Sequence, residues 1–188
     1  MKKIILTAAA VFAFSFANAQ DVKFGAKAGL NMSNYGGDAE DTSMKIGFQV
    51  GGFAEIKVSD KFAIQPELLY SALGAKEDFA GIEVSSNLNY LNIPVMAKYF
   101  VAEGFSLEAG PQLGFSLSAK AKGDGESEDI KDALESIDFG LNFGAGYDVA
   151  ENINIGVRYS LGLSNIIKDS DDYKVNNSNI AIAVGYKF

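Results

Sequence analysis

Apolar residues recur at every second position through most of this chain. Near the C-terminus Ile180, Ile182, Val184, Tyr186 and Phe188 alternate with Ala181, Ala183, Gly185 and Lys187. A period of two marks a strand with one apolar face. The same alternation places Val22, Phe24, Ala26, Ala28 and Leu30 opposite Lys23, Gly25, Lys27 and Gly29. Read along the whole chain, it predicts eight strands, at 22–30, 44–58, 62–75, 87–101, 105–119, 137–149, 153–163 and 180–188.

The connections alternate in length. Polar stretches at 31–43, 76–86, 120–136 and 164–177 are long, whereas 59–61, 102–104 and 150–152 are tight turns. Strict long–short alternation is the pattern of an all-β, eight-stranded antiparallel up-and-down transmembrane β-barrel with short periplasmic turns and long external loops. An even strand number puts both chain ends on the short-turn rim, and 180–188 then pairs antiparallel with 22–30 to close the barrel. Each predicted strand reaches the roughly 9–11 residues that cross a bilayer on a tilt.

Alternation does not say whether the apolar face points in or out. A soluble lipocalin-like barrel would turn it inward around a ligand. The opposite face, however, carries Gly25, Gly29, Gly47, Gly51, Gly110, Gly114, Gly140, Gly144, Gly146, Gly156, Gly162 and Gly185. That face suits the crowded interior of a narrow barrel and makes a poor solvent surface. The aromatics agree: Phe24, Phe62, Tyr99, Phe105, Tyr147, Tyr186 and Phe188 fall on the apolar face at strand ends on the short-turn rim. This is the expected position of an aromatic girdle at a membrane interface.

The N-terminus changes the picture only by setting the compartment. Lys2 and Lys3 precede an apolar segment that ends in Ala17-Asn18-Ala19, the form of a secretory signal peptide. Residues 1–19 are therefore expected to be cleaved, leaving 20–188 as one barrel domain in a Gram-negative outer membrane. Loss of two lysines leaves 14 basic against 24 acidic residues, a net charge of −10. This acidity disfavours nucleic acid as a partner. The partners expected are outer-membrane lipid and a surface or envelope protein, with the barrel itself a monomer.

Candidate chemistry lies on the inward face. Lys23, Lys27, Lys45, Lys57, Lys98, Arg158 and Lys187 face Glu55, Glu67, Glu108, Asp138 and Asp148 there. Charges confined at this density are expected to pair extensively, because an unpaired buried charge costs several kcal/mol. Glu67 and Lys98 are the expected centre of that lumen charge network. An enzyme is not expected: the chain has no His and no Cys, which removes the commonest general base, the thiolate nucleophile and most zinc ligation. No cofactor or metal site is expected either.

The long connections hold most of the acidity, including Asp124, Glu126, Glu128, Asp129, Asp132 and Glu135 in the third. There Ile130, Ala133, Leu134 and Ile137 follow helical spacing, predicting a short helix at about 128–135 that covers the lumen or faces a partner.

Gln65-Pro66-Glu67-Leu68-Leu69-Tyr70-Ser71, followed by Leu91-Asn92-Ile93-Pro94-Val95-Met96-Ala97-Lys98-Tyr99, resembles the signature hairpin of the PorT-like family of outer-membrane β-barrel proteins. Gly110-Pro111-Gln112, Asp138-Phe139-Gly140 and Gly144-Ala145-Gly146-Tyr147 fit the same pattern. The resemblance implies an eight-stranded barrel of the small OmpA/OmpX type and no particular activity. It leaves Pro66, Pro94 and Pro111 inside strands without a ladder donor, so bulges or locally broken pairing are expected there. In the fourth strand Leu88 and Tyr90 also fall on the face opposite Leu91, Ile93, Val95 and Tyr99. Two function classes follow: a non-enzymatic barrel with a salt-bridged lumen and interacting external loops, or a narrow porin-like channel or transport and secretion component.

Overall fold

The computed structural model describes residues 22–39, 41–79, 82–170 and 172–188. The predicted signal peptide and its cleavage site lie outside them. Ten strands and one 3₁₀ turn make up the described chain: β1 (Val22–Gly37), β2 (Thr42–Ser59), β3 (Phe62–Leu73), β4 (Ala75–Phe79), β5 (Ile82–Ala102), β6 (Phe105–Gly123), β7 (Glu126–Asp129), η1 (Lys131–Ala133), β8 (Ile137–Ala150), β9 (Ile153–Gly162) and β10 (Val175–Lys187).

Eight of these strands form a closed antiparallel ring, in the order β1, β2, β3, β5, β6, β8, β9, β10 and back to β1. The last strand closes it as expected: Gly25 pairs with Lys187 and Leu30 with Ile182, and the Phe188 amide donates to the Phe24 carbonyl at 2.8 Å. Paired residues followed around the ring from Phe105, through Tyr147, Ile155, Val184, Ala28, Val50, Tyr70 and Leu91, return to β6 at Phe115, ten residues above the start. With a rise near 3.3 Å and strand spacing near 4.8 Å, that stagger tilts the strands by about 40°.

The other two strands extend this ring. β4 prolongs β3 beyond Gly74, and β7 is the return arm of a hairpin with the end of β6. Gly74 divides β3 from β4 because it has φ +139° and a Cβ there would lie 1.9 Å from the Ser86 carbonyl oxygen. Only glycine fits. Ser33 of β1 reaches the interruption, its hydroxyl donating to the Gly74 carbonyl at 2.8 Å and accepting from the Gly74 amide at 2.9 Å. Asn31 similarly donates to the Phe48 and Ala72 carbonyls.

The long connections are shorter than their polar composition predicts. Strands run on through much of 31–43, 76–86 and 120–136, because a ladder that rises into water needs no apolar face to persist. The helix expected at 128–135 is corrected likewise: Glu128 and Asp129 pair in β7, and only Lys131–Ala133 turn, as 3₁₀. The tight turns at 60–61, 103–104 and 151–152 match expectation.

Each proline interrupts the ladder without shifting it. Phe53 pairs with Glu67 and Ile56 with Ile64, while the pairs between them, at Pro66, are missing. The same gap lies between Pro66–Val95 and Leu69–Asn92 around Pro94, and between Pro94–Gln112 and Ala97–Ala109 around Pro111. β5 itself alternates without a flip. Leu88 and Tyr90 are simply inward, and the register shift opposite them falls in β6, where Asn89 pairs with Ser118 and Tyr90 with Ser116.

Candidate functional site

The interior of the barrel is layered. From mid-height down to the short-turn rim, alternation turns Lys27 of β1, Glu55 of β2, Glu67 of β3, Lys98 of β5, Glu108 of β6, Asp148 of β8, Arg158 of β9 and Lys187 of β10 inward, one charge from every strand of the ring. They form one continuous chain. Lys27 Nζ lies 2.7 Å from Glu67 Oε1; Glu67 takes Arg158 in a two-pronged contact at 2.8 and 2.9 Å; Arg158 Nη2 also reaches Glu108 at 3.1 Å. Lys98 Nζ then joins Glu108 at 3.5 Å to Glu55 at 2.7 Å, and Lys187 joins Glu55 to Asp148 at 3.1 Å each.

Four cations alternate with four anions, so this chain is neutral. Glu55 and Lys98 are each 1% exposed and Glu67 is 3% exposed. Burial at this level is tolerable only when donors and acceptors are saturated. They are: Lys98 uses its ammonium on Glu55, Glu108 and Gln65 Oε1, while Glu67 accepts from Lys27, Arg158 and Gln65 Nε2 at 2.6 Å. Glu67 and Lys98 do not touch each other; Gln65 bridges them.

Not all predicted members join. Lys23 and Lys57 stand outside the chain, in the wall of a vestibule of about 880 Å³ that opens at the short-turn rim. Lys45 points inward near the opposite end, donating to the Ser86 carbonyl and Asn87 Oδ1. Asp138 is apart as well, accepting from Asn177 Nδ2 at 2.8 Å. Register explains these separations, because the ring's stagger spreads residues of one face over its whole height. Sequence reasoning also missed Gln65, Asn154 and Phe53. The first two share the inward parity of their strands but carry no charge to mark them. Asn154 donates to Asp148 at 2.8 Å. Phe53 fills the space left by Gly25, where a Cβ would lie 2.3 Å from its ring, and Lys27 Nζ stands 5.5 Å from the ring centroid.

Above the ion chain the lumen is lined by amides and hydroxyls, including the buried Asn31, Gln49, Asn92, Asn142 and Asn179. A small cavity of about 30 Å³ lies in this region, and another of about 20 Å³ lies beside Lys27, Glu108 and Arg158 of the ion chain. Each is no larger than one or two water molecules require. At the long-loop end the lumen turns apolar. Leu73, Leu88, Tyr90, Ala119 and Val175 from the strands pack with Ile166, and Ile130, Leu134 and Ile167 cover them. Backbone bonds tie this cover across the mouth: Glu135 N–H to the Ile166 carbonyl at 2.9 Å, Lys168 N–H to Ala133 at 3.0 Å and Ile166 N–H to Val175 at 2.8 Å.

The outer wall is the reverse. Ile46, Phe48, Val50, Leu107, Leu113, Phe143, Val157, Ile182 and Val184 are all exposed. A continuous apolar band of this kind around a closed ring is a lipid-facing surface. Of the seven predicted girdle residues, Phe24, Tyr99, Phe105, Tyr147, Tyr186 and Phe188 are exposed beside the short-turn rim, and Phe62, paired with Tyr99, is half-buried.

A family model described as outer membrane protein beta-barrel domain matches residues 16–168. The chain belongs to that family. It is an outer-membrane β-barrel protein, and its short-turn rim is periplasmic. Among solved structures it is similar to neisserial surface protein A, with a TM-score of 0.62 and 15% identity, covering 90% of this chain and 100% of that one. It is also similar to Ail, the attachment invasion locus protein of Yersinia pestis, in complex with the heparin analogue sucrose octasulfate, with a TM-score of 0.53, 16% identity and coverage of 90% and 100%. A major outer membrane protein of Thermus thermophilus gives 0.52 at 13% identity with the same coverage. At these identities the likeness concerns the fold. No curated protein matches the chain.

Proposed function

We propose that this protein is a non-enzymatic, non-conducting outer-membrane barrel, exported by cleavage after Ala19, that acts through its external rim. The observation carrying this reading is the double closure of the lumen, by a neutral eight-membered ion chain across its periplasmic half and an apolar cover at the external mouth. Function then falls to what the rim presents. The four long connections of the sequence hold 15 acidic residues against six lysines. That excess favours a partner with a basic face and disfavours polyanions of the kind bound by Ail. The PorT-like hairpin, in this reading, is scaffold: its Gln65, Glu67 and Lys98 supply the middle of the plug. The aromatic girdle anchors the periplasmic end at the headgroups.

A second reading, a narrow channel or transport component, draws on the periplasmic vestibule, which reaches Glu55, Asp148 and Lys187 of the ion chain. Conductance separates the two. Refolded mature protein in a planar bilayer is expected to stay silent. Reproducible steps whose selectivity changes with Arg158 or Lys98 substitutions would establish the channel instead. Partner capture through the long connections on intact cells, with a polylysine competitor, tests the rim.

A further inference from the structure

Of the five predicted inward carboxylates, Asp138 alone stands outside the ion chain. The ion chain neutralises itself, and no ammonium or guanidinium among the described residues pairs with Asp138. Its Oδ2 accepts from Asn177, but its Oδ1 is buried with no hydrogen-bond partner. Asp138 lines the cavity of about 30 Å³ that sits between the ion chain and the apolar cover. Asn179 lines the same cavity; it is 7% exposed, and its Oδ1 is likewise buried and unpartnered. Its Nδ2 is already spent on Asn31 Oδ1, at 3.1 Å, which leaves the amide oxygen free. Arg158 borders this space too, yet its guanidinium is engaged by Glu67 and Glu108.

We propose that this cavity binds a monovalent metal cation, held by Asp138 Oδ1 and Asn179 Oδ1 with side-chain amide oxygens of the wall. Water would satisfy the two orphan acceptors without supplying a counter-charge, and protonation would neutralise the carboxylate without filling the cavity. A cation does both. The donor set is all oxygen and carries one negative charge, whereas calcium sites use six to eight oxygens, commonly with several carboxylates. One charge and little space match a sodium- or potassium-sized ion.

Crystals of the refolded mature barrel soaked in thallium acetate are expected to show an anomalous peak between Asp138 Oδ1 and Asn179 Oδ1. The peak should vanish in Asp138→Asn, a change that keeps the shape and removes the charge. In detergent, the wild-type thermal midpoint should fall by several degrees when sodium chloride is replaced by choline chloride at equal ionic strength. If Asp138→Asn does not refold, Asn179→Leu keeps the carboxylate, removes one ligand and should weaken the peak. A wild-type cavity without anomalous density, or equal midpoints in the two salts, would overturn the site and leave ordered water or a protonated Asp138 there.

Discussion

Arg158 and Glu67 meet across the lumen with both guanidinium prongs engaged, Nη1 to Oε2 at 2.8 Å and Nη2 to Oε1 at 2.9 Å, from strands on opposite sides of the ring. Glu67 is fully enclosed, so truncating it strands Arg158 and Lys27 as uncompensated charges. Glu67→Ala should lose about 3–5 kcal/mol of stability, measured by urea unfolding in lipid vesicles. The double change Glu67→Leu with Arg158→Met should lose distinctly less than Glu67→Ala alone, since it removes the principal cation together with the anion. Equal losses would show that the pair is not coupled.

The division between β3 and β4 depends on one backbone conformation. At Gly74 a side chain meets both a disfavoured φ of +139° and the Ser86 carbonyl oxygen, whereas Gly125, with φ +81°, has nothing within 4 Å of its Cβ position. Gly125→Ala should therefore cost about 1 kcal/mol, the conformational penalty alone. Gly74→Ala should cost several times as much and loosen the Ser33 bridge, which amide exchange at Gly74 would report.

Depth in the membrane sets the penalty for charge on the outer wall. Val184 lies four residues above Phe188, and both side chains are exposed on the lipid face. Val184→Arg should cost about 2–4 kcal/mol and Phe188→Arg at most about 1, because arginine at the rim reaches the headgroups. Equal penalties would contradict the placement of the girdle. The wild-type barrel should also resist SDS until boiled and fractionate with outer membrane.

The apolar cover is a separate packing unit from the ion chain. Leu88, 1% exposed, is one of its fully buried members. Leu88→Ala should destabilise by about 2–5 kcal/mol. The 130–135 and 163–170 segments should become protease-sensitive before the barrel unfolds. If cleavage of these segments appears only together with global unfolding, the cover is not independently frayed.

Period-two alternation was enough to determine a closed antiparallel ring, its lipid face and its rims, because a strand between lipid and a packed lumen must repeat every two residues and the turn lengths tell one rim from the other. The same parity placed Glu67, Lys98 and Arg158 inside. Height was beyond its reach. That Lys27, Arg158 and Glu108 meet, while Lys45 and Asp138 stand apart from them with the same inward parity, depends on a stagger of ten residues around the ring, which no single strand encodes. The apolar cover was legible only in part: the spacing of Ile130 and Leu134 predicted a cap, but as a helix and without its partners from the last long connection. Ile166 and Ile167 lie in a polar stretch with no strand period, and only closure of the ring brings them together with Ile130 and Leu134 over Leu88 and Tyr90.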